Sequence, residues 1–335
     1  MSIDYINLIQ AAIIAASIQG SLLLWARDSF KGVCLFMLLV TTAALFNILE
    51  SVSISSDTAL FTPIFQLLWG PALYLACKAL TNRHVSAIQW LHFIPAIIAV
   101  GFTDYVQVII AIGTLSRVGY SLLTAKALFD YKAKLDSERS DAEEYRFTWL
   151  IFIVIITTIF NLVDLIRLNI QSYIPTELNI AGQAINNALW LIVIIYMTYK
   201  FNTQKSPPKT NVEVHSFSDS EPEDASQYQS IFEAVDKLVV SKGLFRQERL
   251  ALPQLSESLG LQSRDVSRAI NLVGQKNFNE YINGLRINYV CKLINEAPKK
   301  SMTELAMQSG FSSKASFNRI FKQVVGKTPS QYQNY

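Results

Sequence analysis

The sequence predicts an all-α protein in two parts, a seven-helix transmembrane bundle followed by a cytoplasmic domain with two helix-turn-helix motifs. Three observations lead there. Of 335 residues, 51% are apolar and only 16% charged, where a soluble protein of this size carries about a quarter. The apolar residues of the first two hundred positions gather in runs of bilayer length. The charge is uneven: residues 1–202 hold 12 Lys/Arg against 13 Asp/Glu, residues 203–227 hold 2 against 5, and residues 228–335 hold 15 against 8, a surplus of +7. A basic end on a neutral, greasy chain suits a polyanion. With 13 Gly, 10 Pro and 11% aromatics, a disordered, collagen-like or disulfide-framework protein is excluded. The cysteines Cys34, Cys77 and Cys291 lie far apart without CxxC or Cys/His metal spacing, so neither a disulfide framework nor a zinc site is indicated.

A helix needs about 20 apolar residues to cross a bilayer core. Seven stretches fit or nearly fit: Tyr5–Trp25, Val33–Val52, Leu60–Leu80, Ile88–Phe102, Val106–Phe129, Phe147–Leu168 and Leu178–Tyr199. The fourth is short and has the length of a buried or re-entrant segment as well. Basic residues set the orientation. With the N-terminus outside, the inner loops hold Arg27 and Lys31, then Lys78 and Arg83, then Lys126, Lys132, Lys134, Arg139 and Arg146, and Lys200 follows the last span; the outer segments hold only Arg167. Dropping the fourth span would reverse every later loop, so the alternation supports seven crossings and a cytoplasmic C-terminus. A cleaved signal peptide would need a basic start, and the only charged side chain before the first span is Asp4.

Residues 1–202 are therefore expected to form the membrane domain and 203–229 a flexible linker, rich in Ser, Pro and acid and poor in large aliphatics. Such a tether spans roughly 25–30 Å by random-coil scaling. Residues 230–335 read as short helices. Ile231, Val235, Leu238 and Val239 recur at helical spacing. In a first helix-turn-helix, Pro253 suits an early helical position, Leu255 and Leu259 point inward, Gly260 makes the turn, and Val266 and Ile270 line the second helix. In a second, Ser301 caps a helix holding Leu305 and Ala306, Gly310 turns the chain, Ser312 or Ser313 caps the next helix, and Phe317, Ile320 and Phe321 form its buried face. A longer amphipathic helix, about Phe278–Asn295, would fix the two motifs relative to each other. Thr328-Pro329 reads as a cap followed by Pro at the first helical position.

Residues 228–335 resemble the DNA-binding domain of AraC/XylS-type bacterial transcription regulators. The resemblance is carried by Leu305, Ala306, Gly310, Phe311, Ser312, Ser313, Phe317, Arg319, Phe321, Lys322, Gly326, Thr328, Pro329 and Tyr332, with support from Val266-Ser267-Arg268, Asn277-Phe278, Tyr281-Ile282-Asn283 and Arg286. There are two departures. The family usually caps its first recognition helix with Ser or Thr, where this chain has Gln262, and Gly274, which would close that helix, stands one place early. The first reading helix is therefore expected to be less well defined than the second. The N-terminal spans also look like those fused to other membrane regulators of this type, through Gly70-Pro71-Ala72-Leu73-Tyr74 and Leu91-His92-Phe93-Ile94-Pro95, a much weaker likeness.

The resemblance implies a membrane-embedded one-component regulator that binds promoter DNA sequence-specifically. It would lie in the bacterial inner membrane, multi-pass, with the N-terminus outside and the C-terminal domain in the cytoplasm. A helix fits the major groove and its side chains reach base edges. The outward set is Arg264, Ser267, Arg268 and Asn271 on the first recognition helix, and Ser313, Lys314, Ala315, Ser316, Asn318 and Arg319 on the second. By chemistry, Arg264 and Arg319 suit bidentate contact to guanine and Asn318 to adenine, while Ser312, Ser313 and the helix N-termini suit phosphates. Arg268 and Arg319 would serve equally as structural bridges to carboxylates.

Ionisable residues within spans usually face a bundle interior or a cavity. Arg117 falls near the midplane of the fifth span, and Glu50, Asn47, Asn161, Asp164, Gln183, Asn186 and Asn187 fall in the outer half. The candidate sensor pocket is Arg117, Asp164, Glu50, Asn161 and Asn186, with Arg117 anchoring an anionic or polar ligand; the alternative is a buried ion pair, Arg117 reaching Asp164 or Glu50, that fixes helix packing. The expected partners are double-stranded DNA, the lipid bilayer, a small-molecule or envelope signal, and a second copy of the chain. No cofactor is implied. A retinal protein would need a lysine deep in the last span, which has none before Lys200. The spans hold no HExxH, no GxSxG and no close acid pair, so an enzyme is not indicated. The rival reading is a transporter or receptor bundle with an appended DNA-binding domain. In the mechanism favoured, a signal shifts helix packing or oligomeric state, and the loop Asp130–Tyr145 and the tether relay or permit the change; proteolytic release at the tether is the alternative relay.

Overall fold

The computed structural model describes residues 5–52, 61–82, 86–170, 173–208, 225–296 and 300–333. These are almost entirely helical. Among them there is no strand, and one isolated antiparallel bridge joins Arg139 to Ala251. The chain divides into two compact units, Met1–Asp130 with Phe147–Pro207, and Tyr131–Arg146 with Pro208–Tyr335.

The first unit contains α1 (Tyr5–Trp25), α2 (Lys31–Ser51), α3 (Phe65–Asn82), α4 (Ile94–Ala99), most of α5 (Val106–Glu138), α6 (Thr148–Ile170) and α7 (Thr176–Thr203). All but α4 are long and apolar enough to cross a bilayer. Helix α1 packs against α2 and α7, α2 against α3, and α6 against α7. Small residues let the backbones approach: a Cβ on Gly113 of α5 would come within 2.6 Å of the Gln66 Cβ on α3. The outer faces carry aliphatic side chains that a water-facing surface would not gather at this density, among them Leu22, Leu115, Leu122 and Ile192.

The fourth expected span differs from the rest. Residues Ala87–Phe102 form a 3₁₀ helix (Ala87–Phe93), the short α4, and a second 3₁₀ turn (Val100–Phe102). Pro95 has no N–H to donate and sits in the first turn of α4, where none is needed. The tighter winding lengthens the segment: at the rise of each helix type its 16 residues reach roughly 29 Å if straight.

The second unit contains α8 (Gln229–Ser241), α9 (Leu252–Leu259), α10 (Ser263–Leu272), α11 (Phe278–Glu296), α12 (Met302–Gln308), α13 (Lys314–Val325) and α14 (Pro329–Gln333). The middle of the expected linker, residues 209–224, lies outside the described residues. Two apolar cores form. Val235, Val239, Leu255, Val266 and Ile270 gather with Phe278, Tyr281 and Ile282 from the first half of α11. Leu305, Ala306, Phe311, Phe317, Ile320 and Phe321 gather with Ile287 and Val290 from its second half. One 19-residue helix thus belongs to both cores and fixes one helix pair to the other.

Local sequence explains the turns. Gly260 closes α9 at φ +66°, and Gly310 stands at φ +90° between α12 and α13, where a Cβ would come within 2.7 Å of the Arg246 carbonyl oxygen. Ser301 accepts from the Glu304 N–H at 3.2 Å while Glu304 accepts from the Ser301 N–H at 2.8 Å, a reciprocal capping box. Ser313 caps α13 by accepting from the Ser316 N–H at 3.2 Å. The first pair is less well made. Gln262 stands at the N-cap of α10 without a capping side-chain bond, and the left-handed residue after that helix is Gln275, φ +51°, not the neighbouring Gly274.

Candidate functional site

Two groups of side chains carry chemistry, one in each unit. In the second unit, α10 and α13 are the second helices of their pairs. On α13, Lys314, Ala315, Asn318 and Arg319 are exposed, and Ser313 and Ser316 are half-buried at its N-terminus. On α10, Arg264 and Asn271 are exposed. Arg268 is half-buried, and its Nη1 donates to the Tyr228 hydroxyl at 3.3 Å. Ser267, expected to face outward, is buried at 5% exposure. It shares the inward arc of Val266 and Ile270, which takes one more position than the sequence spacing suggested. That correction removes Ser267 from the surface set.

The segment between α5 and α6 belongs to the same unit. Arg139 pairs with Ala251 through the isolated bridge, and the Ser140 N–H donates to the Leu250 carbonyl at 3.0 Å. From α11, Asn279 Nδ2 donates to the Arg139 and Ser140 carbonyls, both at 3.0 Å, and Asn283 Nδ2 to the Ser140 carbonyl at 2.9 Å. Arg286 is 2% exposed. Its guanidinium donates to the carbonyls of Phe245 (2.7 Å) and Gln247 (2.9 Å), to Asn283 Oδ1 (3.0 Å) and to Ser140 Oγ (3.0 Å). A buried cation needs such satisfaction. Burial pushes its pKa down to about 10, and the charges of Asp141 and Glu248 oppose that shift. Beyond this, the 3₁₀ turn Ala142–Glu144 brings two carboxylates to α13: Glu143 is ion-paired with Arg319, and Glu144 accepts from the Ser312 hydroxyl. Glu143 is also paired with Arg146, which holds Asp136 through its Nε at 2.9 Å.

These loop contacts were not expected from the sequence. No sequence signal singled them out: Glu143 and Glu144 stand in a segment of mixed charge that also holds Asp136, Glu138 and Asp141 beside Lys132, Lys134, Arg139 and Arg146.

In the first unit, the five residues of the candidate sensor pocket, Arg117, Asp164, Glu50, Asn161 and Asn186, all line one cavity of about 350 Å³. Asn47, Gln183 and Asn187 line it too, with Gln66, Trp69 and Trp190, which the sequence did not single out. The two indoles stack with centroids 5.8 Å apart. The pairing expected for Arg117 differs. Asp164 is ion-paired with Arg167 at 2.8 Å, Glu50 accepts the N–H groups of Phe61 (2.7 Å) and Thr62 (2.9 Å), and Arg117 donates to Gln66 Oε1. Arg117 Nε, Asn186 Oδ1 and Asn187 Nδ2 are buried on this cavity without a hydrogen-bond partner among the described residues.

Comparison with known proteins bears on the second unit. Residues 255–335 match the family described as "Helix-turn-helix domain". An uncharacterized HTH-type transcriptional regulator of Staphylococcus aureus (strain COL) is 36% identical over 86 residues, 26% of this chain and 11% of that protein. The melibiose operon regulatory protein of Escherichia coli (strain K12) is 29% identical over 86 residues, 26% of this chain and 28% of that protein. This chain thus spans about a tenth of the staphylococcal relative and over a quarter of the enteric one. A solved structure of a Listeria innocua protein of unknown function aligns at 24% identity and a TM-score of 0.29, covering 31% of this chain and 95% of that one.

Proposed function

We propose that this chain, whose C-terminal end is a helix-turn-helix domain of the AraC type, is a membrane-embedded transcription regulator that reads promoter DNA with α10 and α13 in response to a ligand in the cavity of its first unit. The observation that carries the reading is the pair of helix-turn-helix units locked to one shared helix, each presenting an arginine on the outer face of its second helix. Two reading helices held by α11 suit neighbouring major-groove segments. Arg264, Asn271, Lys314, Asn318 and Arg319 supply the base-reading and phosphate-binding side chains. The chain acts by binding and carries out no enzymatic reaction.

The six long apolar helices and Ala87–Phe102 cross the inner membrane, with the N-terminus outside and the second unit in the cytoplasm. The cavity supports ligand sensing. An arginine bonded to a neutral amide, with its Nε unpartnered among the described residues, offers positive charge to an anionic ligand, while the carboxylates on the same cavity are engaged, Asp164 by Arg167 and Glu50 by the Phe61 and Thr62 N–H groups. The stacked Trp69 and Trp190 offer such a ligand an apolar wall. A transporter with an attached regulator is the second reading, and the same cavity would serve it.

The test is genome-wide DNA occupancy of the membrane-held chain. The expected result is a discrete set of sites, lost in Arg264→Ala/Asn318→Ala while the protein still accumulates in the membrane; each lost bidentate contact weakens site preference by about 1–3 kcal/mol. Absence of discrete sites in the wild-type chain overturns the reading. Arg117→Gln is expected to leave occupancy in place and abolish its response to the inducing condition. Flux of a solute through vesicles holding the chain would favour the transporter.

A further inference from the structure

We infer that the loop between α5 and α6 is an autoinhibitory latch: its Glu143 and Glu144 occupy donors on and just before α13, Arg319 and Ser312, that DNA would take, so that loop docking and DNA binding exclude each other. The inference rests on α13 being a DNA-reading helix, as proposed above.

Three features of the geometry lead to it. First, the two carboxylates do not fall on arbitrary surface. Glu143 holds the Arg319 guanidinium and Glu144 the Ser312 hydroxyl, immediately before the N-terminus of a 12-residue helix. A helix N-terminus with a cationic side chain nearby is a ready anion site. Carboxylates there satisfy the donors that a phosphate would need.

Second, the loop is held in register by a built seat. Asn279, Asn283 and Arg286 project from α11 and spend donors on the Arg139 and Ser140 carbonyls and the Ser140 hydroxyl. The seat and the loop bury each other: Asn279, Asn283 and Arg286 are at most 6% exposed, Ser140 is 2% and Ala142 fully buried. This register aims the following two glutamates at α13. A chance surface contact would not engage the helix shared by both motifs.

Third, the contacts that hold the loop to α11 and α13 are hydrogen bonds and an ion pair, which suit a reversible seat. The freed Asn and Ser groups would be hydrated once the loop left, against the cost of exposing Ala142 and Tyr145, now buried. The loop is tethered to α5 and α6, so it acts at a high effective concentration and weak contacts suffice to hold it. The apparent affinity for DNA is then reduced by the fraction of molecules with the loop docked. A signal that draws α5 or α6 away would release α13.

The test uses the full chain in lipid nanodiscs, titrated with a labelled pool of random-sequence duplexes at physiological salt. Glu143→Gln/Glu144→Gln is expected to bind about tenfold or more tightly than wild type. The control Glu257→Gln/Glu296→Gln removes the same two charges from exposed sites on α9 and α11 and is expected to change affinity less than twofold. Hydrogen exchange supplies a second readout: saturating duplex should speed exchange of the Ser140 amide, now bonded to Leu250. An equal gain in both double variants, no gain in the first, or a Ser140 amide equally protected with duplex bound overturns the latch and leaves the DNA reading intact. Failure of every chain to bind any duplex overturns the DNA reading, and the latch with it.

Discussion

Gly274 and Gln275 divide between them two tasks that a single glycine would perform. The backbone turns left-handed at Gln275, φ +51°, where a side chain is disfavoured by roughly 1–2 kcal/mol. Gly274 instead supplies space: a Cβ there would meet the Ile270 carbonyl oxygen at 2.6 Å and the Phe232 ring at 2.8 Å. Replacing Gln275 by Gly relieves the backbone but adds freedom to the unfolded chain, so Gln275→Gly should stabilise the second unit by up to about 1 kcal/mol. Gly274→Ala should destabilise it by about 1–3 kcal/mol through overpacking. Protection of the α10 amides against hydrogen exchange measures both, and opposite signs are the expected outcome. The sequence displayed the displaced glycine, and with it the expectation of a looser first reading helix. It could not display that a side chain at Gly274 would run into Phe232, because that crowding depends on how α8 packs. Ser267 shows the same limit. A ten-residue helix with neighbours on two sides buries more than an alternating pattern suggests.

At the scale of elements, the second helix pair was more legible than the first because its caps are side chains. Ser301 and Glu304 announce the start of α12, and Ser313 that of α13. The Glu304 pKa is lowered, first by its bond from the Ser301 N–H and then by the Ser301 hydroxyl. A carboxylate whose folded pKa is depressed stabilises the fold above its unfolded pKa, near 4.3, and loses that contribution as pH falls through the folded value. Glu304→Gln should therefore weaken protection of the α12 amides at neutral pH, and the difference from wild type should shrink as acidification carries the carboxylate through its depressed folded pKa. A difference that persists unchanged into acid would mean that the carboxylate charge has no part in the cap. The loop at Ser140 was illegible for the opposite reason. Its partners are donors on α11, more than a hundred residues away in sequence, and no local pattern announces a contact of that separation.

At the scale of the whole molecule, membership of the second unit constrains the topology of the first. Residues 131–146 and 208–335 form one compact unit, which in the membrane-embedded reading proposed above requires both to lie on the same side of the bilayer. The chain between them then crosses an even number of times, which α6 and α7 satisfy as a pair. The remaining question is the side on which the chain begins, and it turns on residues 87–102. If that segment crosses, Arg27, Lys31, Lys78 and Arg83 face the cytoplasm together with Arg139 and Arg146. If it does not, the first four are stranded outside, against the positive-inside tendency. Its 3₁₀ winding gives its 16 residues a reach of roughly 29 Å, close to a bilayer core of about 30 Å. We therefore expect it to cross. Topology reporters fused after Asp4 and within residues 53–60 should be active only outside, and reporters fused after Arg27, after Arg83 and within residues 139–146 only in the cytoplasm. Were the first four of these to exchange sides with the last staying cytoplasmic, the segment would be re-entrant and the chain would begin inside.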